Sequence, residues 1–263
     1  MEKKGKHMQL LGKRAIVTGG ASGIAAATVL AYAREGASVV SVDINDEAGR
    51  RVAEEAAALG PGTVTYQHLD ISDQEAVNRV FADAVQEMGG LDILANIAGN
   101  EAQKPAEDVT GADIDSIFNV HVKGTFFTNA AAYRAMKGHG GSIINASSGA
   151  GVTGYPGSPV YSAAKAAILG YVRTVAFDWG SEFIRINAIL PAAVTPMAQE
   201  HFDAMDPETL AHYKAIYASK IPLGGWLGTV EQTASVNVFL GSDASSFVTG
   251  QAISCDGGWT MVR

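Results

Sequence analysis

Cysteine is almost missing from this 263-residue chain: Cys255 stands alone, so no disulfide can close within it. No Cys/His cluster has zinc-ligand spacing either, so no metal site is expected, and the lone thiol fits a reducing, cytoplasmic compartment. Long apolar runs are missing too. No stretch reaches the roughly 18 residues that would mark a membrane span. The basic segment 1–9 lacks the apolar run of a signal peptide and reads as a flexible arm. Positive charge is scarce, with 19 Lys and Arg against 27 Asp and Glu and a net charge of -8. That balance argues against nucleic acid or an anionic membrane surface as partner. Proline is sparse, and no Pro/Ser-rich or charged linker divides the chain, so residues 10–263 are expected as one domain.

What remains is a chain that is 47% hydrophobic, long enough for a single large α/β core. Short apolar runs at 14–18, 37–42, 63–69, 91–95, 142–146, 184–190 and 252–255 alternate with helix-like segments. The helices are expected at 26–35, 73–88, 110–136, 161–180 and from 229 onward. Each run is apolar on both faces, as strands of a parallel sheet covered by helices should be. The fold class that follows is a single doubly wound, Rossmann-like α/β domain.

The first strand runs into Gly19-Gly20-Ala21-Ser22-Gly23-Ile24-Ala25. Strand, glycine turn and helix in that order make a phosphate-binding unit, with Gly19 in the tight turn and Gly23 admitting a pyrophosphate to the helix N-terminus. An ordinary strand-to-helix loop is the plain alternative. Asp43 closes the second strand, where a dinucleotide fold places a carboxylate on the adenosine ribose. There it would accept from the ribose hydroxyls and repel a 2′-phosphate, favouring NAD over NADP. Its other reading is a cap for the helix near Asp46. Asp70, after the third strand, either accepts from the adenine amino group or caps the next helix with Ser72; His68 is treated as structural.

Tyr161 and Lys165 stand four residues apart in a helix-like segment, so they share one face. A phenol has a pKa of roughly 10, and a nearby ammonium is one of the few ways to lower it. A half-buried aromatic beside a solvated lysine would give the same pattern. Residues 195–227, the least regular part of the chain, carry Phe202, Met205, Tyr213, Tyr217 and Trp226. They form either a substrate-side lid or a helical hairpin whose aromatics pack on one another.

Taken together, several motifs resemble the short-chain dehydrogenase/reductase family. They are Thr18-Gly19-x-x-x-Gly23-Ile24, Asp43, Asp70, Asn96-x-Ala98-Gly99, Ser148, Tyr161-x-x-x-Lys165, the 191–195 stretch and Asp256-Gly257-Gly258. The resemblance runs from about residue 10 to the C-terminus. It implies a nucleotide cradle of Gly19, Ser22, Gly23, Ile24, Asp43, Asp70, Asn96, Ala98 and Gly99. It further implies that Ser148 donates to the substrate oxygen, that Tyr161 is the general acid or base, and that Lys165 lowers its pKa and holds the nicotinamide ribose. Val194 and Thr195 would bind the carboxamide. A homotetramer is likewise implied by the family.

Three departures stand out. Ala25 replaces the third glycine, and Pro191-Ala192 replaces the usual Pro-Gly, with Thr195 one residue early. The third is His121, which occupies the place of an Asn that in the family supports a helix kink and a proton relay to the lysine; Asn119 lies two residues early. His121 either modulates that relay with a ring that titrates near neutral pH or is a packed, neutral histidine. The expected activity is NAD-dependent interconversion of a secondary alcohol and a ketone. Glu101, Gly149, Tyr155, Ala192, Phe202 and Trp226 are the candidate pocket residues, and their mixture points to a mostly apolar, cyclic or aromatic substrate. The rivals are an NADP-dependent 3-oxoacyl-type ketone reductase and a nonenzymatic dinucleotide-binding regulator.

Overall fold

The computed structural model describes residues 8–101 and 103–261, so most of the expected N-terminal arm lies outside the described residues. Gln9, at its end, and Leu10, the first residue of the domain, are tied by their backbone N–H groups to Glu35, and Leu10 is fully buried.

Among the described residues nine strands follow in chain order: β1 (Arg14–Thr18), β2 (Ser38–Asp43), β3 (Thr63–His68), β4 (Ile93–Asn96), β5 (Gly141–Ala146), β6 (Ile184–Pro191), β7 (Ala193–Val194), β8 (Gly228–Thr229) and β9 (Ala252–Cys255). Ten α-helices are interleaved with them: α1 (Gly23–Arg34), α2 (Asp46–Ala57), α3 (Gln74–Met88), α4 (Gly111–Phe118), α5 (Gly124–Met136), α6 (Ala150–Thr153), α7 (Pro159–Trp179), α8 (Pro196–Asp203), α9 (Pro207–Lys220) and α10 (Val230–Gly241). The seven-stranded sheet has the order β3-β2-β1-β4-β5-β6-β9, and every pairing in it is parallel. The order reverses between β1 and β4. At such a switch point the loops beyond the strand ends diverge and leave a crevice.

Alternation along β1 explains why both faces are covered. Ile16 points into the layer built by Val77, Phe81, Met136, Ile168 and Val172, while Ala15 and Val17 point into the layer of Val29, Tyr32, Val238 and Leu240. Each large aliphatic side chain buried this way contributes roughly 1.5–3 kcal/mol. At the foot of the sheet the Arg14 guanidinium holds Asp92 with two hydrogen bonds of 2.8 Å, fixing the start of β1 beside that of β4.

Two expectations need correction. β3 is not apolar on both faces: Thr63, Thr65 and His68 are exposed, because it is one of the two edge strands of the sheet. The helix expected over 110–136 is divided by a π-helical turn, Asn119–Lys123, in which the Gly124 N–H reaches back five residues to the Asn119 carbonyl. Such turns insert one extra residue and commonly sit at functional sites. Thr110 starts this helix with a capping box shared with Asp113.

Candidate active site

A crevice of about 470 Å³ opens at the switch point, within the range of small-molecule sites. Gly19, Ser22, Gly23, Ile24, Asp43, Asp70, Ala98, Gly99, Glu101, His121, Tyr161, Lys165 and Thr195 all line it, although they come from segments far apart in the chain.

The glycine turn is shaped for close approach. Gly19 has φ +76°, and a Cβ there would stand 2.8 Å from the Ala98 Cα; Gly23 has φ +57° and opens α1. Both conformations are strained for residues with a side chain. The N-terminus of α1 therefore faces the crevice with backbone N–H groups and the positive end of its dipole, a fit for a pyrophosphate. Asp43 does not cap α2, since Asn45 does so by accepting from the Ala48 N–H. Instead its carboxylate accepts from the Ala21 N–H (3.1 Å) and the Asn45 N–H (2.9 Å), which aims it at the rim of the turn. Asp70 is not the cap of α3 either; Asp73 is, while Asp70 accepts from the Ser72 N–H and hydroxyl.

Asn96 is committed to the scaffold. Its side chain accepts from the Thr18 hydroxyl (3.0 Å) and donates to Thr125 and Asn145 (3.1 Å each), tying β1, β4, β5 and α5 together in the buried interior. Thr18 in turn accepts from the Ile97 and Ala98 N–H groups, so this network sets the backbone of the cradle.

Tyr161 and Lys165 occupy the first two turns of α7. The Lys165 Nζ lies 5.5 Å from the centre of the Tyr161 ring and donates to the Ala146 carbonyl at 2.7 Å, while the Ser147 hydroxyl anchors the helix through the Lys165 carbonyl. Burial dominates the electrostatics. It pushes the Tyr161 phenol up to about 12, partly countered by a hydrogen bond from Ser148 and reinforced by the Glu101 carboxylate. It pulls Lys165 down to about 7, with Glu101 opposing. The expectation that Lys165 lowers the phenol is thus outweighed by the removal of both groups from water. Ser148 stands at the end of β5 with its hydroxyl oxygen accepting from the Ala150 N–H.

His121 enters from the π-helical turn and is 2% exposed. Its ring meets Tyr161 edge-on at 5.5 Å between centres. Its Nε2 lies 2.7 Å from the Asn100 carbonyl. The Asn100 N–H approaches the same nitrogen at 3.3 Å, and the shorter contact to the carbonyl favours the tautomer in which Nε2 carries the proton and donates. Burial, then the charge of Lys165, press its pKa down to about 3 against a smaller rise from the Asn100 bond. Burial thus favours the neutral ring, the packed reading of this histidine, over one that titrates near pH 7.

Of the six pocket candidates, Glu101 lines the crevice; Gly149, Tyr155, Ala192, Phe202 and Trp226 stand off it. Phe202 and Trp226 serve the hairpin of α8 and α9, where they pack at 5.3 Å with Tyr217 and Trp259. Thr195 caps α8 through the Ala198 N–H, with its methyl against Gly23, and Val194 pairs β7 with β8. The carbonyls of Ala146 and Asn100 escaped the sequence reading, because a backbone acceptor leaves no residue-type signal.

A family model described as Enoyl-(Acyl carrier protein) reductase matches residues 19–260. The chain is 40% identical to 2,5-dichloro-2,5-cyclohexadiene-1,4-diol dehydrogenase of Sphingobium indicum, covering 96% of this chain and 99% of that one. It is 39% identical to the 3-oxoacyl-(acyl-carrier-protein) reductase FabG of Thermotoga maritima, covering 95% and 99%. A solved short-chain type dehydrogenase/reductase from Mycobacterium marinum superposes with a TM-score of 0.85 at 30% identity, over 97% of this chain and 98% of that one. With motif spacing, strand order and these likenesses in agreement, the chain belongs to the short-chain dehydrogenase/reductase family of oxidoreductases, which bind a nicotinamide dinucleotide.

Proposed function

We propose that this protein is an NAD-dependent dehydrogenase of secondary alcohols, able to run in reverse as a ketone reductase, on a mostly apolar, cyclic or aromatic substrate. The observation that carries the reading is the Tyr161 phenol held beside the Lys165 ammonium on the wall of the crevice, 5.5 Å from ring centre to Nζ. The turn from Gly19 to Ile24 would hold the pyrophosphate, Asp43 the adenosine ribose, Asp70 the adenine edge, Lys165 the nicotinamide ribose, and Val194 and Thr195 the carboxamide. When bound, the nicotinamide supplies the hydride acceptor for oxidation and the hydride donor for reduction.

In oxidation Tyr161 takes the proton of the substrate hydroxyl as the carbinol hydrogen departs as hydride, and Ser148 donates a hydrogen bond to the substrate oxygen throughout. In reduction the same phenol returns the proton. At Tyr161 the influence that opposes burial is the hydrogen bond from Ser148. The hairpin of α8 and α9 would cover the substrate side.

The test is a panel of secondary alcohols with NAD and with NADP, followed by nicotinamide absorbance, on the native protein and a Tyr161→Phe variant. Turnover that needs Tyr161 and prefers NAD supports the reading. A strong NADP preference would favour 3-oxoacyl-type reduction, the activity named for the Thermotoga relative. NAD binding without any turnover would favour a nonenzymatic regulator. The tetramer expected of the family is tested by light scattering.

A further inference from the structure

Glu101 is a carboxylate on the wall of the crevice, and the groups it acts on electrostatically share one character. They are the phenols of Tyr155, Tyr161 and Tyr217 and the ammonium of Lys165, contributed by the segment before α7, by α7 and by α9. Tyr213 joins them, 6.3 Å from Tyr217 between ring centres. Phenols and an ammonium are hydrogen-bond donors, so the carboxylate marks a polar stretch of the crevice wall.

The Glu101 side chain is exposed, and it is the backbone before it that is held in place. Its neighbour Asn100 is pinned through its backbone carbonyl by the His121 Nε2–H at 2.7 Å, and the His121 ring is wedged edge-on against Tyr161. Gly99 completes the clamp: a Cβ there would stand 2.5 Å from the His121 Cε1, so the loop closes on the imidazole only without a side chain. An Asn at position 121, shorter by most of a ring, would not extend as far toward Asn100. The departure at His121 therefore bears on the placement of residues 99–101.

We propose that Glu101, positioned by the His121–Asn100 bond, accepts a hydrogen bond from a second hydroxyl of the substrate, so that the preferred substrates are cyclic diols or polyols and not simple alcohols. This rests on the reading of Tyr161 as the acid/base of alcohol oxidation. One hydroxyl is deprotonated at Tyr161 and the other donates to Glu101, fixing which carbinol faces the hydride acceptor. Glu101 touches substrate; His121 is a positioning residue.

The experiment compares kcat/KM for cyclohexanol, cyclohexane-1,2-diol and cyclohexane-1,4-diol in the native protein and in Glu101→Gln, Glu101→Asp and His121→Asn. A hydrogen bond to a charged acceptor corresponds to about 10- to 100-fold in affinity, so the native protein should prefer one of the diols by about 10-fold or more. Glu101→Gln should collapse that preference mainly through KM for the diol, Glu101→Asp should retain part of it, and His121→Asn should reduce it too. Absence of a diol preference in the native protein, or a preference that survives Glu101→Gln, overturns the proposal, as does an effect of Glu101→Gln confined to KM for NAD. Failure to oxidise any alcohol overturns the dehydrogenase reading and this inference with it. Turnover of cyclohexanol with no diol advantage overturns this inference alone.

Discussion

The carboxylate of Asp43 accepts the backbone N–H of Ala21 at 3.1 Å, joining the end of β2 to the glycine turn that opens α1. Its second oxygen takes the Asn45 N–H, so the acid stands in one orientation at the rim of the turn. Hydrogen bonds to a charged group contribute about 1.5–3 kcal/mol each. Asp43→Ala should lower kcat/KM for NAD by about 10- to 100-fold and leave NADP use unchanged or improved. Initial rates with both coenzymes check this; an unchanged NAD to NADP ratio would sink the role given to Asp43.

Tyr161→Phe keeps the ring that His121 meets edge-on and removes only the hydroxyl. A positioned acid/base contributes typically 10²- to 10⁴-fold, so kcat should fall by about that factor while the thermal midpoint stays close to the native one. A variant with more than about a tenth of native kcat would show that the proton leaves by another route.

The phenol held up at about 12 must lose its proton to act as base, so oxidation should become faster as pH rises through the alkaline range. Glu101 contributes to that elevation, and Ser148 opposes it. Removing the negative charge with Glu101→Gln therefore moves the rising limb toward lower pH. A limb that moves upward, measured as log kcat/KM against pH, contradicts the sign.

Asn96→Ala leaves the Thr18 hydroxyl, Thr125 and one bond of Asn145 without their partner inside the sheet. A buried group left unsatisfied costs about 1–3 kcal/mol, and each kcal/mol is worth about 2–4 °C in a chain of this size. A drop of at least about 5 °C is expected by calorimetry. A change under about 1 °C would mean that water or a rearranged side chain takes over the network.

Much of this was legible in the residues, and the physical reasons differ by element. β1, β2, β4, β5 and β6 announce themselves because central parallel strands are apolar on both faces, whereas β3 carries the mixed surface of an edge strand and still reads apolar enough to mislead. The glycine turn, Asp43, Tyr161 and Lys165 were readable because their spacing is local. The division of the helix at Asn119–Lys123 was not, since one added residue hardly disturbs the recurrence of Ile114, Ile117, Val120 and Phe127. The hairpin aromatics looked like pocket walls because sequence does not say whether Phe202 faces a ligand or Trp226. His121 stands out in the sequence, but its partner is a backbone carbonyl 21 residues away, and its depressed pKa follows from burial that only the folded chain reveals.

Lys165 supplies a test that needs no substrate. Its ammonium is buried and its pKa falls from 10.5 to about 7. Below pH 7 the folded and unfolded chains both carry the proton, and the full cost of burying the charge is present. Between about 7 and 10.5 the unfolded chain binds more protons than the folded one, so stability rises with pH across that window. Above 10.5 both are neutral and the cost is gone. Lys165→Met removes this dependence, together with the bond to the Ala146 carbonyl. The difference between the variant's thermal midpoint and the native one should therefore be most favourable to the variant at pH 6. It should shrink by at least about 1 kcal/mol, about 2–4 °C, on going to pH 10. Calorimetry at pH 6, 8 and 10 measures it. A difference that stays constant or grows with pH would show that Lys165 keeps its ordinary pKa and is not a desolvated ammonium.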